Sequence, residues 1–142
     1  MPCRDALYVL QNREIVAGVV TNGEDMCLVR RSAKVASDRG LWHCITGYLE
    51  PQVSPRRQIL DELREELGLA ANEITGLTCF SPVSIVDRRY TWIIHPFAVM
   101  TQKQDFVLNW ENDDFRWLKT SELPRRCVPW LSDVLASINL ES

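Results

Sequence analysis

The chain is 142 residues long, 46% apolar and 25% charged, with a formal net charge of −3 at pH 7. That length and apolar share suit one compact domain with a core of its own. The slightly acidic balance excludes attachment to a nucleic-acid duplex or an anionic membrane through a broad basic field, so an anionic substrate has to be neutralised locally, most simply by a bound cation.

The opening stretch "MPCRDALYVLQNREIV" sets Arg4 and Asp5 ahead of a short apolar run that stops at Gln11-Asn12-Arg13-Glu14. It is too short and too interrupted for a secretion signal. No stretch reaches the roughly 20 apolar residues that span a bilayer. A soluble cytoplasmic protein without membrane attachment is expected.

Residues 14–21, "EIVAGVVT", are rich in β-branched side chains, and "NGED" is a turn signal leading into "MCLVRR", so a hairpin is predicted. "SAKVASDRG" reads as a loop and "LWHCITGYL" as a further extended segment. Ser54 stands as an N-cap with Pro55 in the first helical position; Ile59, Leu60, Leu63 and Leu67 follow at helical spacing, and Gly68 can close the helix in a left-handed conformation. The helix should run from about 55 to 67. Strand composition returns over 74–86 and 90–101, joined by Asp87-Arg88-Arg89. "DFVLNWENDDFRWLKTSELP" predicts a short strand, an acidic loop and another short strand. "PWLSDVLASINL" spaces Trp130, Leu131, Val134, Leu135 and Ile138 as a C-terminal helix. Mixed strands with one central and one terminal helix suggest an α/β sandwich.

Cys3, Cys27, Cys44, Cys79 and Cys127 are scattered singly, and only His43 and His95 accompany them, so no zinc site has suitable spacing. The cysteines read as small buried hydrophobes in a reducing compartment. A cysteine hydrolase built on Cys44 and His43 is disfavoured because neighbouring side chains on a strand point to opposite faces. His95, in an otherwise apolar strand, reads as structural.

The central helix carries Glu62, Glu65 and Glu66. At helical pitch, Glu62 and Glu66 lie about 40° apart and Glu65 about 60° to the other side, so the three share one sector and the leucines occupy another. Like charges four residues apart repel, so the arrangement does not serve helix stability. A solvated acidic face and a site for a hard divalent cation are both compatible with the helix alone.

The residues upstream add to this. "GYLEPQVSPRRQILDELREELGL", residues 47–69, resembles in ungapped register the Nudix box, Gly-x5-Glu-x7-Arg-Glu-U-x-Glu-Glu-x-Gly-U with U aliphatic. Gly47, Glu62, Leu63, Glu65, Glu66, Gly68 and Leu69 match. Val53 stands where the first glutamate belongs and Asp61 where the arginine belongs. The "GLW" at 40–42 and "FRWLKTSEL" are similar to family segments on either side. In the family the missing glutamate and arginine form an ion pair that braces the loop against the helix. Losing both leaves no orphaned charge of that pair; Val53 can pack, and Asp61 can accept from Arg57 or Arg64.

The resemblance to the Nudix hydrolase superfamily implies a single domain over 1–142, an α/β/α sandwich with a mixed β-sheet between helices. It implies Mg2+-dependent hydrolysis, with Mn2+ as a substitute, of the pyrophosphate in a nucleoside diphosphate linked to another moiety. Glu62, Glu65 and Glu66 are the implied metal ligands, with the Gly47 carbonyl as a further one. Glu62 or Glu66, and after them Glu111, are the implied catalytic bases; Glu111 lies six residues before Trp117, with Asp113 and Asp114 as neighbours able to substitute. For substrate binding, Glu50 falls where many members carry an extra glutamate. Arg30, Arg31, Arg88 and Arg89 are candidate phosphate clamps or solvated strand ends. Trp42, Tyr48, Trp92, Phe97 and Trp110 are candidate base-stacking surfaces or core. The expected partner is a nucleotide-type small molecule, and a homodimer is a common family state. A weakly active nucleotide sensor with the same fold is the alternative.

Overall fold

The computed structural model describes residues 11–138; Cys3 and the first ten residues of the leading segment lie outside them. Among the described residues, eight strands form one mixed sheet. β1 (Gln11–Thr21) is its axis, pairing antiparallel with β2 (Met26–Arg31) and β4 (Ile45–Tyr48) and parallel along its whole length with β7 (Tyr90–Thr101). β2 also pairs with β3 (Trp42–His43) and β8 (Asn112–Leu118), and β7 carries β5 (Ile74–Cys79) and β6 (Val83–Val86).

From Ile15 to Val20, β1 is apolar without alternation because both of its faces are covered there. Ile15, Ala17 and Val19 join Met26, Leu28 and Ile94 under α2 (Leu131–Ile138), which inserts Leu131, Val134, Leu135 and Ile138. Val16 and Val20 join Val29, Phe97 and Val99 under α1 (Pro55–Leu67), which inserts Ile59, Leu63 and Leu67. Each such buried aliphatic contributes on the order of 2 kcal/mol. This is the expected sandwich of helix, mixed sheet and helix. No helix among the described residues is long and apolar enough to cross a membrane.

α1 has the predicted ends. Ser54 Oγ accepts from the Arg57 amide at 3.2 Å, and Gly68, at φ 66°, closes the helix by donating to the Arg64 carbonyl. Three expectations need correction. The run 74–86 is two strands, because Ser81-Pro82 interrupts the ladder between β5 and β6. Residues 105–110 form no strand: Val107 N–H donates to the Leu67 carbonyl, and Phe106 packs against Phe115 and Trp117, so the segment folds over the end of α1. Asp113 and Asp114 consequently lie in β8, outside any acidic loop.

Candidate active site

β4 and the loop after it deliver Gly47 to the inner face of α1. A Cβ on Gly47 would collide with the Glu62 carboxyl group, so a larger residue would push that side chain from its place. The loop contains Gln52 in the left-handed region, at φ 63°. Its brace differs from that of the family pattern. Gln58, buried on α1, accepts from the Glu50 N–H at 3.1 Å and donates to Glu62 Oε1 at 3.3 Å. Asp61 lies 3.4 Å from both Arg57 and Arg64, the helical partners expected for it. Val53 is half-buried.

Glu66 is 3% exposed; Asn112 Nδ2 donates to its Oε1 at 3.0 Å, while Oε2 has no protein partner. Burial first, then the neighbouring Glu62 carboxyl and the charge of Glu111, raise Glu66 well above the usual carboxylate range. Burial also raises Glu62, with the charges of Glu65 and Glu111 adding to it. Glu111 is positioned by the Ser32 amide, which donates to its carbonyl at 2.8 Å, and by the Asn109 side chain, which accepts from its N–H at 3.0 Å.

Glu65 faces solvent. Among the described residues no three carboxylate, imidazole or thiol groups converge as a finished ligand set. A divalent cation nevertheless suits this chemistry. The donors are hard oxygens, one buried carboxylate oxygen lacks a partner, and a cation would relieve the mutual repulsion that raises both carboxyls.

Glu62 and Glu111 open on a cavity of about 450 Å3, within the range of small-molecule sites, while Glu65 and Glu66 do not line it. Gly47, Glu50, Gln58, Glu62 and Glu111 line one part of it. Tyr48, Trp92, Trp110, Trp130 and His43 supply the aromatic part. Arg31 lines it as well, with its Nε donating to the Ser37 carbonyl.

Other sequence candidates lie elsewhere. Trp42 is buried under the guanidinium groups of Arg116 and Arg30 and packs in the core with α2, so its ring presents no stacking face to this cavity. Arg30 pairs with Asp113 at 2.7 Å. Arg88 and Arg89 are exposed in the β6–β7 turn and do not line the cavity. Phe97 is core. His95 pairs with Glu14 at 2.9 Å.

Cys44 Sγ approaches His43 Nδ1 to 4.0 Å, closer than opposite strand faces would allow, because Cys44 falls in the break between β3 and β4. Burial pushes the thiol up and the imidazole down to about 3, so both stay neutral and no thiolate pair forms.

Sequence reasoning missed Gln58, Asn112 and His43 as parts of the site. A polar residue one turn before Glu62 was the available signal for Gln58. Nothing local marks the other two.

Residues 11–138 match the model of the NUDIX domain family. The chain is 38% identical over 58 residues to the CTP pyrophosphohydrolase of Escherichia coli (strain K12), a match spanning 41% of this chain and 42% of that one. It is 26% identical over 150 residues to the RNA pyrophosphohydrolase of Gluconacetobacter diazotrophicus, covering 91% and 90% of the two chains. In fold it is similar to the MutT protein from Methanosarcina mazei Go1, with a TM-score of 0.78, 19% identity, and 93% and 96% of the two chains covered. The buried carboxylates on α1, the glycine that gives them room and the family match over nine-tenths of the chain agree: this protein belongs to the Nudix hydrolase family.

Proposed function

We propose that the protein is a divalent-metal-dependent pyrophosphohydrolase that opens the phosphoanhydride of a nucleoside diphosphate linked to another moiety. The observation that carries this reading is the buried Glu66 carboxyl with its unpartnered Oε2, set beside Glu62 and under the charge of Glu111. A structural helix face has no reason to bury carboxylates against one another, since each costs free energy to desolvate.

Glu62, Glu65 and Glu66, with the Gly47 carbonyl, are the residues that would hold Mg2+ or Mn2+. The ion would supply charge neutralisation at the phosphate oxygens and acidification of water. Glu62 or Glu66, and after them Glu111, is the base that would take up the proton of the attacking water, whose oxygen bonds to phosphorus as the anhydride P–O bond breaks and the other phosphate leaves. Gln58 holds Glu62 in place, and Asn112 fixes which Glu66 oxygen is free. Arg31, on the cavity wall, is a candidate contact for the phosphate chain. The relatives named for CTP and RNA pyrophosphohydrolysis both break phosphoanhydrides, which supports the reaction class.

The test is phosphate or nucleotide release from nucleoside triphosphates, nucleotide sugars and dinucleotides with Mg2+ or Mn2+. Turnover that falls by about 10²-fold or more in Glu62→Gln or Glu66→Gln supports the reading. Tight nucleotide binding with no turnover of any compound favours a sensor.

A further inference from the structure

His43 is 2% exposed, it is among the residues that line the cavity, and its buried Nε2 has no hydrogen-bond partner in the protein. Buried polar atoms are rarely left unpaired, and those that are mark strain or a missing ligand. The ring is locked edge-on against Trp130, with centroids 4.4 Å apart and planes at 89°. β3 and the segment leading into α2 thus bring this group into the same cavity that α1 and β4 line with carboxylates.

The rest of that wall is aromatic and partly open. Tyr48 is 59% exposed and lies tilted against Trp92 at 6.3 Å, and Trp92 is itself fixed by donating from Nε1 to Asp87 Oδ2 at 2.6 Å. Flat aromatic faces beside one polar atom suit a planar heterocycle, which stacks by its face and hydrogen-bonds by its edge.

We propose that His43 is the specificity-determining residue for the base of a nucleotide substrate, hydrogen-bonding through Nε2 to the polar edge of a heterocycle that lies against Trp92, Tyr48 and Trp130. This rests on the pyrophosphohydrolase reading for the rest of the substrate. Burial first, and then the nearby Arg31 charge, pull the imidazole down to about 3. The ring therefore meets ligands as a neutral donor and acceptor, suited to an uncharged base edge and unsuited to clamping phosphate. A site built to pair one buried polar group rejects ligands that leave it unpaired.

The experiment titrates the tryptophan fluorescence of the metal-free protein with the four common nucleoside monophosphates, in wild type, His43→Gln and His43→Phe. The wild type is expected to prefer one base by about 10-fold or more. His43→Phe should level the series, and His43→Gln should keep part of the preference. Because a substitution at a buried position can unfold the protein, the wild type is also titrated with purine and pyrimidine monophosphates lacking the exocyclic amino or carbonyl group; about 10-fold weaker binding is expected. Equal affinity for these analogues, an unchanged base ranking in folded His43→Phe, or no saturable quenching by any nucleotide overturns the proposal. Base preference that depends on His43 without turnover would leave it standing while the hydrolase reading fails. Turnover whose base ranking ignores His43 would do the reverse.

Discussion

The Gln58 carboxamide donates to Glu62 Oε1 at 3.3 Å, and this contact connects the loop to the carboxylate cluster. Its other end accepts from the Glu50 amide, so one side chain does the bracing that the Nudix box assigns to a glutamate and an arginine. Gln58→Leu should raise the Mg2+ concentration needed to shift the melting temperature by about 10-fold or more, as loss of a group that orients a metal ligand does. Metal-free stability should fall by about 1–2 kcal/mol. Thermal melts across a Mg2+ titration check both; an unchanged midpoint would remove Gln58 from any positioning role.

The proton kept by Glu66 makes stability depend on pH. The unfolded chain releases it near 4.5, the folded chain only at higher pH, so the contribution is fully present below 4.5 and is lost as pH rises through the folded value. His43 acts in the opposite sense, its stabilisation present above 6.5 and lost on acidification from 6.5 towards about 3. The two effects oppose each other above pH 4.5, so the Glu66 contribution is read as the difference between wild type and Glu66→Gln, in which the His43 contribution cancels. In chelator, the stability of the wild type relative to Glu66→Gln should fall as pH rises above 4.5. A difference that does not change with pH would contradict the assignment.

Val53 and Asp61 invite a double-mutant cycle. Val53→Glu alone places a carboxylate at a half-buried position and should cost about 1–3 kcal/mol. Asp61→Arg alone replaces two favourable contacts, to Arg57 and Arg64, with repulsion worth a few tenths of a kcal/mol each. Together they can pair, so the double variant should recover about 1 kcal/mol or more relative to the sum. Urea unfolding of the four proteins decides it, and strict additivity would show that the loop no longer accepts the family's brace.

Gln52 holds φ 63° on an exposed turn. A non-glycine residue there costs about 1–2 kcal/mol, of which glycine's larger unfolded-state entropy takes back about 0.5–1. Gln52→Gly should therefore stabilise the protein by up to about 1 kcal/mol without affecting Glu62. The midpoint of urea unfolding measures it, and a loss of stability would mean that the Gln52 side chain makes a contribution of its own.

The helix 55–67 was legible because its signals are local: Ser54 and Pro55 at one end, Gly68 at the other, and leucines between. The approach of Glu62 to Glu66 was legible for the same reason, since positions four apart on a helix lie on one face, whereas Glu65, expected in the same sector, faces solvent. The stretch 105–110 was not, because Phe106, Val107 and Leu108 have strand composition yet find their partners on α1 and the Phe115–Trp117 surface. Trp42 likewise carries no local mark distinguishing a ring under Arg116 from one open to a ligand. His43 owes its interest to Trp130, which lies far along the sequence, and Asn112 to Glu66; contacts across elements leave no spacing to read.

The parallel ladder between β1 and β7 sets Gln11 beside Tyr90, closing a loop of more than half the chain. Loop closure of that length must precede the contacts that reward it, so assembly is governed by non-local pairing and should be slow for a chain of this size. Gly47 and Tyr48 sit on a strand whose ladder partner is β1, and Trp92 on β7 itself. Ligand competence should therefore appear late during refolding, after α1 has formed, and nascent chains should remain unable to bind nucleotide until β7 has been synthesised.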